Sequence, residues 1–338
     1  MSSDAPKVSI GVPVYNGEKF IRATLDSLLA QTFTDLEVVI CDNCSTDSTP
    51  QICREYEAKD SRVHYHRNER NLGPAPNYNR CFELARGQYF KWSAADDTIA
   101  PNFLARCVEE LDGDATLSGV YASAKEVDEQ GNELYAHRFQ VDLGHPSPIV
   151  RLARYCFCDH RKNHATEFWA VYRSDVLRQW KPTKGSFPSA DRLVVTRCAL
   201  RGRMPLLPDR LFFNRSHGNR SQTYLDKSKV RPGSRLVKYI GCGPLPSYEW
   251  WDASKKGKIV FPEWRWWWEY VRAVTDAPLP LFTKLACWGV TAGLFVKFSP
   301  RLARDLIIAT EQFVNRTFKI APQPPGPASP SLPKTAGG

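Results

Sequence analysis

Two adjacent carboxylates, Asp96 and Asp97, follow the run from 88 to 93, which is predicted to be a β-strand. Neighbouring negative charges are unfavourable at close range unless a cation neutralises them. Carboxylate and phosphate oxygens suit Mg²⁺ or Mn²⁺, and the bound ion can offset charge on a departing diphosphate. The pair therefore predicts a divalent-metal site. The alternative is that Asp97 only caps the helix that follows.

Asp42 and Asn43 end a second apolar run, over 38–40. A carboxylate at a strand end can accept hydrogen bonds from a nucleotide base or ribose, and Pro13 or Tyr15 could line one side of a base. This grouping predicts a nucleotide pocket. The alternative is a strand-end Asp that caps the next turn.

A further carboxylate, Asp191, stands just before the apolar run Leu193-Val194-Val195, which is typical of a helix. A carboxylate held near an acceptor hydroxyl can act as a general base. The alternative is an Asp that is favoured at a helix start by the helix dipole.

The elements that must position these side chains alternate between strand and helix. Residues 8–14 have strand character, and Ile21, Leu25 and Leu28 share one face of a helix over 18–31. A strand, a helix and a parallel strand form a βαβ unit, which opens a ligand crevice at the carboxyl ends of its strands. The order predicts an α/β sandwich with a mostly parallel sheet. Further strands are expected at 63–66, 88–93, 120–127 and 168–173, and further helices from Thr49 and over 76–86, 101–111, 174–179 and 191–201.

The chain resembles the family-2 inverting glycosyltransferases with the GT-A fold, a Rossmann-like α/β/α sandwich, over residues 7 to about 221. The matching motifs are Pro13-Val14-Tyr15-Asn16, the D-N-x-S-x-D segment from 42 to 47, Asn71-Leu72-Gly73, Asp96 at the family's D-x-D position, and the R-x-H-x-x-x-S element from 215 to 221. The resemblance implies a nucleoside-diphosphate sugar donor, a divalent metal cofactor (Mn²⁺ or Mg²⁺) and transfer to an acceptor hydroxyl.

The resemblance also implies roles for individual residues. Asp191 would be the catalytic base, Asp96 and Asp97 would hold the metal, and His217 and Arg220 would contact the diphosphate or the metal. The donor nucleotide would be bound by Pro13, Tyr15, Asn16, Glu18, Asp42, Asn43, Gly73, Asn79 and Asp96.

Four positions depart from the family pattern, and one of them is Asn43, which stands where the family often has a second Asp. Ala94 replaces the first acid of the D-x-D motif, Ala190 replaces a Glu before the base, and Tyr78 stands where an Arg often precedes Asn79. The change at Ala94 removes one potential metal ligand.

The charge of the chain favours anionic partners. The 338 residues include 46 Lys plus Arg against 36 Asp plus Glu, which gives a net charge of +10. Nucleotide diphosphates, phospholipid surfaces and nucleic acid would all fit this charge. The basic residues are scattered and lack a nucleic-acid motif, so no nucleic-acid partner is expected. Ten cysteines without a visible secretory signal predict reduced thiols in the cytoplasm.

The C-terminal third has a different character. Trp264, Trp267 and Trp268 share one helical face with Val271, and such a stripe is usually packed in a core. Basic residues then alternate with apolar ones. This pattern suits a helix on an anionic bilayer, or a helical pair packed on the catalytic domain or on a second subunit. The longest apolar run, Leu285 to Val296, is shorter than the ~20 residues that cross a bilayer.

We therefore predict a glycosyltransferase domain over 1–240, a helical, aromatic and basic region over 241–320, and a disordered tail over 321–338. The predicted reaction moves a sugar from a UDP-sugar to a hydroxyl of a surface polysaccharide or lipid-linked glycan. The predicted location is the cytoplasm, peripherally at the inner face of the plasma membrane.

Two alternative functions stay open. One is a nucleotidyltransferase, which would need a Gly-rich basic loop after the first strand. The other is a non-catalytic membrane-associated scaffold that keeps the fold.

Overall fold

A computed structural model of the protein describes residues 5–158, 166–179, 190–218 and 258–318. Strands and helices alternate in this part of the chain, as predicted. The strands are β1 (Val8–Val14), β2 (Leu36–Asp42), β3 (Val63–Arg67), β4 (Tyr89–Trp92), β5 (Thr98–Ile99), β6 (Gly119–Val127), β7 (Glu133–Ala136), β8 (Val171–Arg173) and β9 (Leu206–Arg215). The helices are α1 (Ile21–Leu29), α2 (Thr49–Lys59), α3 (Pro74–Leu84), α4 (Phe103–Gly113), α5 (Pro148–Phe157), α6 (Ser174–Arg178), α7 (Ala190–Arg201), α8 (Pro262–Asp276) and α9 (Leu281–Thr317), with a 3-10 turn at Thr166–Trp169.

Proline and glycine set several helix starts. Pro50, Pro74, Pro148 and Pro262 lie in the first turns of α2, α3, α5 and α8, where the missing N–H has no intrahelical partner to lose. Gly73 precedes α3 with a φ of 85°, a left-handed conformation that glycine adopts without strain. The helix predicted from residue 76 therefore begins two residues earlier.

The strands form one mixed sheet in the order β3-β2-β1-β4-β8-β6-β9-β5, with β7 paired to β6. Strands β3, β2, β1 and β4 are parallel, so Asp42 at the end of β2 lies beside Val14 at the end of β1. Strand β8 runs antiparallel to both β4 and β6, whereas β6 and β9 are parallel. The α/β class is confirmed, and the parallel half of the sheet opens the predicted crevice.

Strand β1 is buried along its whole length, as a parallel strand covered on both faces should be. Gly11 allows helix α3 to approach it closely. A Cβ at this position would lie 2.6 Å from Cys81 Cβ and 2.8 Å from the Phe90 ring. The helix that carries Asn79 is thereby seated directly on the central strand.

Helices α8 and α9 pack against α5 and α7. Their buried apolar residues form one cluster with those of α5 and α7, which we call the C-terminal core: Leu152, Cys156, Leu193, Leu200, Trp266, Tyr270, Ala273, Val274, Ala277, Cys287 and Leu294. Arg197 of α7 also pairs with Glu269 and Asp276 of α8, at 3.4 and 3.3 Å. The predicted helical C-terminal region is present.

The burial of α8 differs from the prediction. Trp266 and Tyr270 are its buried aromatic residues, whereas Trp268 is exposed. Trp264 and Trp267 are partly buried, and each donates its indole N–H to a carbonyl of α9 at 3.0 Å. Because α8 has neighbours on two sides, its burial does not follow a single stripe.

Helix α9 is the one helix in the described residues that is long and apolar enough, by length and composition, to cross a membrane. The apolar run from Leu285 to Val296 is only part of this helix. Helix α9 is 37 residues long and continues through Pro300. Proline removes the donor that would bond to the Val296 carbonyl. The Ser299 hydroxyl donates to that carbonyl at 2.9 Å instead, which compensates for the lost bond.

Candidate active site

The loops after β1 and β2 are joined side by side at the crevice, and we call residues 13–18 and 42–49 the donor wall. Asn16 donates its backbone N–H to Ser45 Oγ at 2.9 Å, and its Oδ1 accepts the Thr46 N–H at 2.8 Å. Asn16 has a φ of 52°, and asparagine is one of the few non-glycine residues that adopt this conformation. The two predicted nucleotide motifs are thus brought together.

Two other predicted donor residues have structural contacts in the donor wall. Glu18 Oε2 accepts the Ser48 N–H at 2.9 Å. Pro13 is buried in β1 and lies beside Cys41 of β2. Tyr15, in contrast, is half exposed, so its ring is the member of this group with the most surface to offer a base.

Asp42 is buried at the carboxyl end of β2 and already has protein partners. Its Oδ1 accepts the Ser45 N–H at 2.8 Å, and its Oδ2 accepts the Tyr65 hydroxyl at 2.7 Å and lies 3.5 Å from Arg67 Nε. Burial raises the pKa of Tyr65, and the bond to Asp42 raises it further, so the phenol stays protonated and donates. Asp42 therefore caps its turn, and its remaining lone pairs are what a nucleotide could use.

Asn43 is buried at the centre of an asparagine network. Its Nδ2 donates to Asn71 Oδ1 at 2.9 Å and to the Gly73 carbonyl at 3.1 Å. Its Oδ1 accepts the Leu72 N–H at 2.8 Å and an Asn68 Nδ2 hydrogen at 3.1 Å. These four bonds use the full capacity of a side-chain amide. Asn43 thus fixes the Gly73 turn that opens α3.

Asp96 and His217 meet at the mouth of the crevice. Asp96 Oδ2 lies 2.9 Å from His217 Nε2. The Asp96 side chain is about one-third exposed, at 32%, whereas that of His217 is 6% exposed. The imidazole packs on the Phe20 ring, with centroids 4.5 Å apart. Its Nδ1 is buried and has no hydrogen-bond partner among the described residues.

Asp97 has different surroundings from Asp96. It is buried, and its Oδ1 accepts the Arg215 N–H at 2.8 Å. The Arg215 guanidinium donates to the Asp96 carbonyl at 2.8 Å and to the Glu129 carbonyl at 2.7 Å. Asp97, which was predicted as a metal ligand, thus holds the end of β9 against the loop after β4. Sequence reasoning missed this role of Arg215, although its place at the start of the R-x-H element was a usable signal.

Asp191 lies in the first turn of α7. Its charge acts on Tyr78, as do the charges of the carboxylates after β4. Burial raises the pKa of Tyr78, and nearby negative charges, among them Asp96, Asp97 and Asp191, raise it further. All three carboxylates thus contribute to the electrostatic surroundings of this phenol. Within the described part of the chain, the Asp191 carboxylate has no hydrogen bond or ion pair.

The turn between β6 and β7 lies next to the donor wall. Glu129 in this turn forms a 2.6 Å ion pair with Lys19. Beneath the site, Lys91 is fully buried and donates to the Trp169 carbonyl at 2.7 Å. Burial lowers the pKa of Lys91 to about 7. Neither Glu129 nor Lys91 lies in a motif that predicts a role.

Two predicted site residues remain. Asn79 is partly exposed on α3, and Arg220 lies outside the described residues. No group of three or more His, Cys, Asp or Glu side chains that could hold a metal occurs in the described residues. A metal at Asp96 would therefore need oxygens from the donor to complete its coordination.

Residues 9–180 match the family described as Glycosyl transferase family 2, and the chain belongs to this family of glycosyltransferases. Chondroitin synthase of Escherichia coli is 34% identical over 183 residues, which are 53% of this chain and 24% of that protein. An uncharacterized glycosyltransferase of Methanocaldococcus jannaschii is 27% identical over 197 residues, 58% of this chain and 65% of that protein. TuaG of Bacillus subtilis, named for teichuronic acid biosynthesis, is 38% identical over 109 residues, 32% of this chain and 43% of that protein. The chain thus spans only part of the length of each relative.

Solved structures show the same fold. TarS residues 1–349 of S. aureus, in complex with UDP-GlcNAc, align with a TM-score of 0.53 and 20% identity over 93% of this chain and 91% of that chain. The complex of the same protein with UDP gives a TM-score of 0.51 and 21% identity over the same shares. The predicted GT-A architecture is confirmed.

Proposed function

We propose that this glycosyltransferase moves a sugar from a UDP-sugar to a hydroxyl of a cell-envelope polysaccharide or lipid-linked glycan, with inversion at the anomeric carbon. The observation that carries the proposal is the 2.9 Å contact between Asp96 and His217, whose imidazole packs on the Phe20 ring just after the donor wall. Asp191 is a separate carboxylate without a partner in the described residues, and its charge, like that of Asp96, raises the pKa of Tyr78. A diphosphate-binding group and a separate carboxylate are what an inverting displacement requires.

Asp191 would act as the general base. Its carboxylate would take the proton from the acceptor hydroxyl while the hydroxyl oxygen forms a bond to the anomeric carbon. The bond between that carbon and the diphosphate oxygen breaks on the opposite face, through a transition state with oxocarbenium character. Within the described residues its carboxylate makes no capping bond to α7, which supports the catalytic interpretation over the capping one.

Asp96 and His217 would hold a divalent cation. A carboxylate oxygen and an imidazole nitrogen suit Mn²⁺, and Asp96 alone of the carboxylate pair has exposed surface for Mg²⁺ or Mn²⁺. When bound, the ion offsets negative charge on the departing diphosphate. Asp97 and Arg215 keep the two ligands side by side. For Asp97 itself to bind the ion, its bond to the Arg215 N–H would have to open.

The donor wall would bind the nucleotide. Tyr15 would cover the base, and Asp42, oriented by Tyr65 and Ser45, would accept a hydrogen bond from its edge. TarS, which shares this fold, was solved with UDP and UDP-GlcNAc, so UDP-sugars are the first donors to test. The names of the relatives chondroitin synthase and TuaG support a polysaccharide acceptor. A place at the inner face of the plasma membrane is part of the same proposal.

The hydrogen bonds inside the donor wall do not fit a nucleotidyltransferase. Gly17 and Glu18 donate their backbone N–H groups to Thr49 Oγ1 at 2.8 Å and Asp47 Oδ2 at 3.1 Å. These donors are therefore occupied by the protein, whereas a phosphate-binding loop presents its N–H groups to the ligand.

Thermal-shift measurements with UDP-, GDP- and dTDP-sugars, each with and without Mn²⁺, test the proposal. A bound donor raises the melting temperature by mass action, and we expect the largest rise with a UDP-sugar and Mn²⁺. Asp42→Ala should lower the melting temperature of the free protein, because the Tyr65 hydroxyl and the Ser45 N–H lose their acceptor, and it should lose the donor-dependent rise. The absence of a rise with every donor would contradict the proposal, and an unchanged rise in Asp42→Ala would remove Asp42 from the site.

A further inference from the structure

We infer that α9 lies flat on an anionic membrane surface, with its outward side inserted at the boundary of headgroups and acyl chains. The inference starts from large apolar side chains that α9 exposes. They include Phe282 at 84%, Val296 at 71% and Phe313 at 62% exposed. We call the full set, together with Phe318 just after the helix, the outer face: Leu281, Phe282, Leu285, Val296, Leu306, Phe313, Val314 and Phe318. At 1.5 Å per residue, α9 and its outer face run for about 55 Å.

The opposite side of α9 is packed on protein. Cys287 and Leu294 are buried in the C-terminal core. Cys287 and Val296 are nine positions apart, which at 100° per residue places them on opposite sides of the helix. The outer face is therefore the side turned away from the folded domain.

The packing of α9 favours an in-plane position over a spanning one. Asp305 is fully buried and accepts the Glu263 N–H of α8 at 2.6 Å, and Arg304 lies 3.5 Å from Glu263. A spanning α9 would carry this charged group and the attached α8 into hydrocarbon, where buried charges are unfavourable. A helix lying in the interface immerses only its outer face.

Charge selects the kind of surface. At 100° per residue, Lys284 and Lys297 lie at the two borders of the outer face, whereas Arg301 and Arg316 lie toward the packed side and Glu311 is the acidic residue near the outer face. The two border lysines and the net charge of +10 on the chain are attracted to anionic lipids. A second copy docked through the same face would bring like charges together, which is unfavourable. The charge pattern therefore favours a lipid surface over a dimer.

Docking through the outer face would also fix the position of the catalytic helix. The C-terminal core joins α9 to α7, whose first turn carries Asp191. A docked α9 would hold that turn at a set distance from the lipid surface, where a lipid-linked acceptor would arrive. This consequence rests on the proposed function, whereas lipid binding itself does not.

Cosedimentation with vesicles of phosphatidylcholine, with and without phosphatidylglycerol, tests the inference. The full-length protein should sediment with the anionic vesicles and much less with the neutral ones. Phe282→Asp combined with Val296→Asp should lower the partition coefficient by about tenfold or more, because each removes apolar surface that the interface buries. Leu134→Asp, at a 52% exposed leucine of β7, is the matched control and should bind like the wild type. Circular dichroism should show that all three proteins are folded.

Each other outcome has a distinct meaning. Equal sedimentation of the double variant and the wild type would overturn the inference. A lipid-free dimer in ultracentrifugation that the double variant disperses, without vesicle binding by the wild type, would assign the outer face to a second copy. Retention of the expressed protein in membranes after alkaline carbonate extraction would indicate a spanning helix. The donor-induced thermal shift, measured on the same proteins without lipid, should be equal in all of them, and its absence would contradict the proposed function alone.

Discussion

Asp96 Oδ2 and His217 Nε2 lie 2.9 Å apart, although 121 positions separate the two residues in the chain. Their contact joins the loop after β4 to the residues after β9. The neighbouring bond from the Arg215 N–H to Asp97 Oδ1, at 2.8 Å, holds these two segments together. The adjacent carboxylates thus face different partners: one faces an imidazole at the crevice and the other a backbone amide in the interior.

Metal removal should abolish turnover. We expect EDTA to stop sugar transfer and Mn²⁺ or Mg²⁺ to restore it, because the departing diphosphate needs a cation to offset its charge. Asp96→Asn should raise the metal concentration for half-maximal activity by about tenfold or more. Asp97→Asn, the matched control, should lower the melting temperature more than the metal affinity. Full activity in EDTA would contradict the metal role, and the missing carboxylate at Ala94 would be the reason.

Asp191→Asn should lower turnover by about 10²- to 10⁴-fold, the usual contribution of a positioned base. The donor-dependent thermal shift should stay unchanged, because the base acts on the acceptor. Asp175→Asn is the matched control, since Asp175 also starts a helix but its Oδ1 accepts the Val176 N–H at 2.8 Å. Near-normal turnover of Asp191→Asn would leave Asp191 as a helix-start residue, and Asp97 or the fully buried Glu167 would then be the next candidates.

Tyr65→Phe should weaken donor binding without changing turnover at saturating donor. The substitution removes the hydroxyl that donates to Asp42 Oδ2 at 2.7 Å, so the carboxylate loses one of the bonds that orient it. Loss of one such bond corresponds to a rise in the donor Kd of about fivefold. Tyr56→Phe is the control, because its hydroxyl donates to Asp26 of α1 at 2.5 Å, outside the donor wall. Calorimetry that gives equal Kd values for Tyr65→Phe and the wild type would exclude an orienting role.

Lys91→Met should change the pH dependence of stability. Burial lowers the pKa of Lys91 to about 7 from its ordinary value of 10.5, so between these two pH values the unfolded chain binds more protons than the folded one. The contribution of Lys91 to the free energy of unfolding should therefore increase as pH rises from 7 to about 10. The difference in this free energy between wild type and Lys91→Met should rise by up to about 1.4 kcal/mol per pH unit. Denaturant unfolding at several pH values measures it, and parallel curves would show that Lys91 is protonated when folded.

The parallel half of the sheet could be predicted from sequence because its signals are local. The apolar run of β1 and the Asn71-Leu72-Gly73 turn each specify their own conformation within a few residues. The contact between Asp96 and His217 could only be inferred through the family, since nothing local links residues on different strands. The structural role of Asp97 was not predictable either, because an adjacent carboxylate pair has the same sequence pattern whether or not both members reach the crevice.

The face of α8 shows a second limit of sequence reasoning. Helical periodicity identifies the residues that share a face, but it does not identify the face that meets a partner. Aromatic residues surround α8 on nearly all sides, so the pattern did not separate Trp266 from Trp268. The neighbouring helices α7 and α9 decide which of them is buried, and their positions depend on the whole fold.

The C-terminal core also limits how this enzyme could be recombined with its relatives. Leu193 and Leu200 of α7 share that core with Cys287 and Leu294 of α9. A truncation after residue 278 would uncover α7, which carries the proposed base Asp191, and would impair it together with any targeting function. Replacement of α8 and α9 alone by those of a relative would place mismatched surfaces against α5 and α7. The smallest segment that could be transplanted as a unit therefore runs from α5 to α9, and it includes α7 with Asp191.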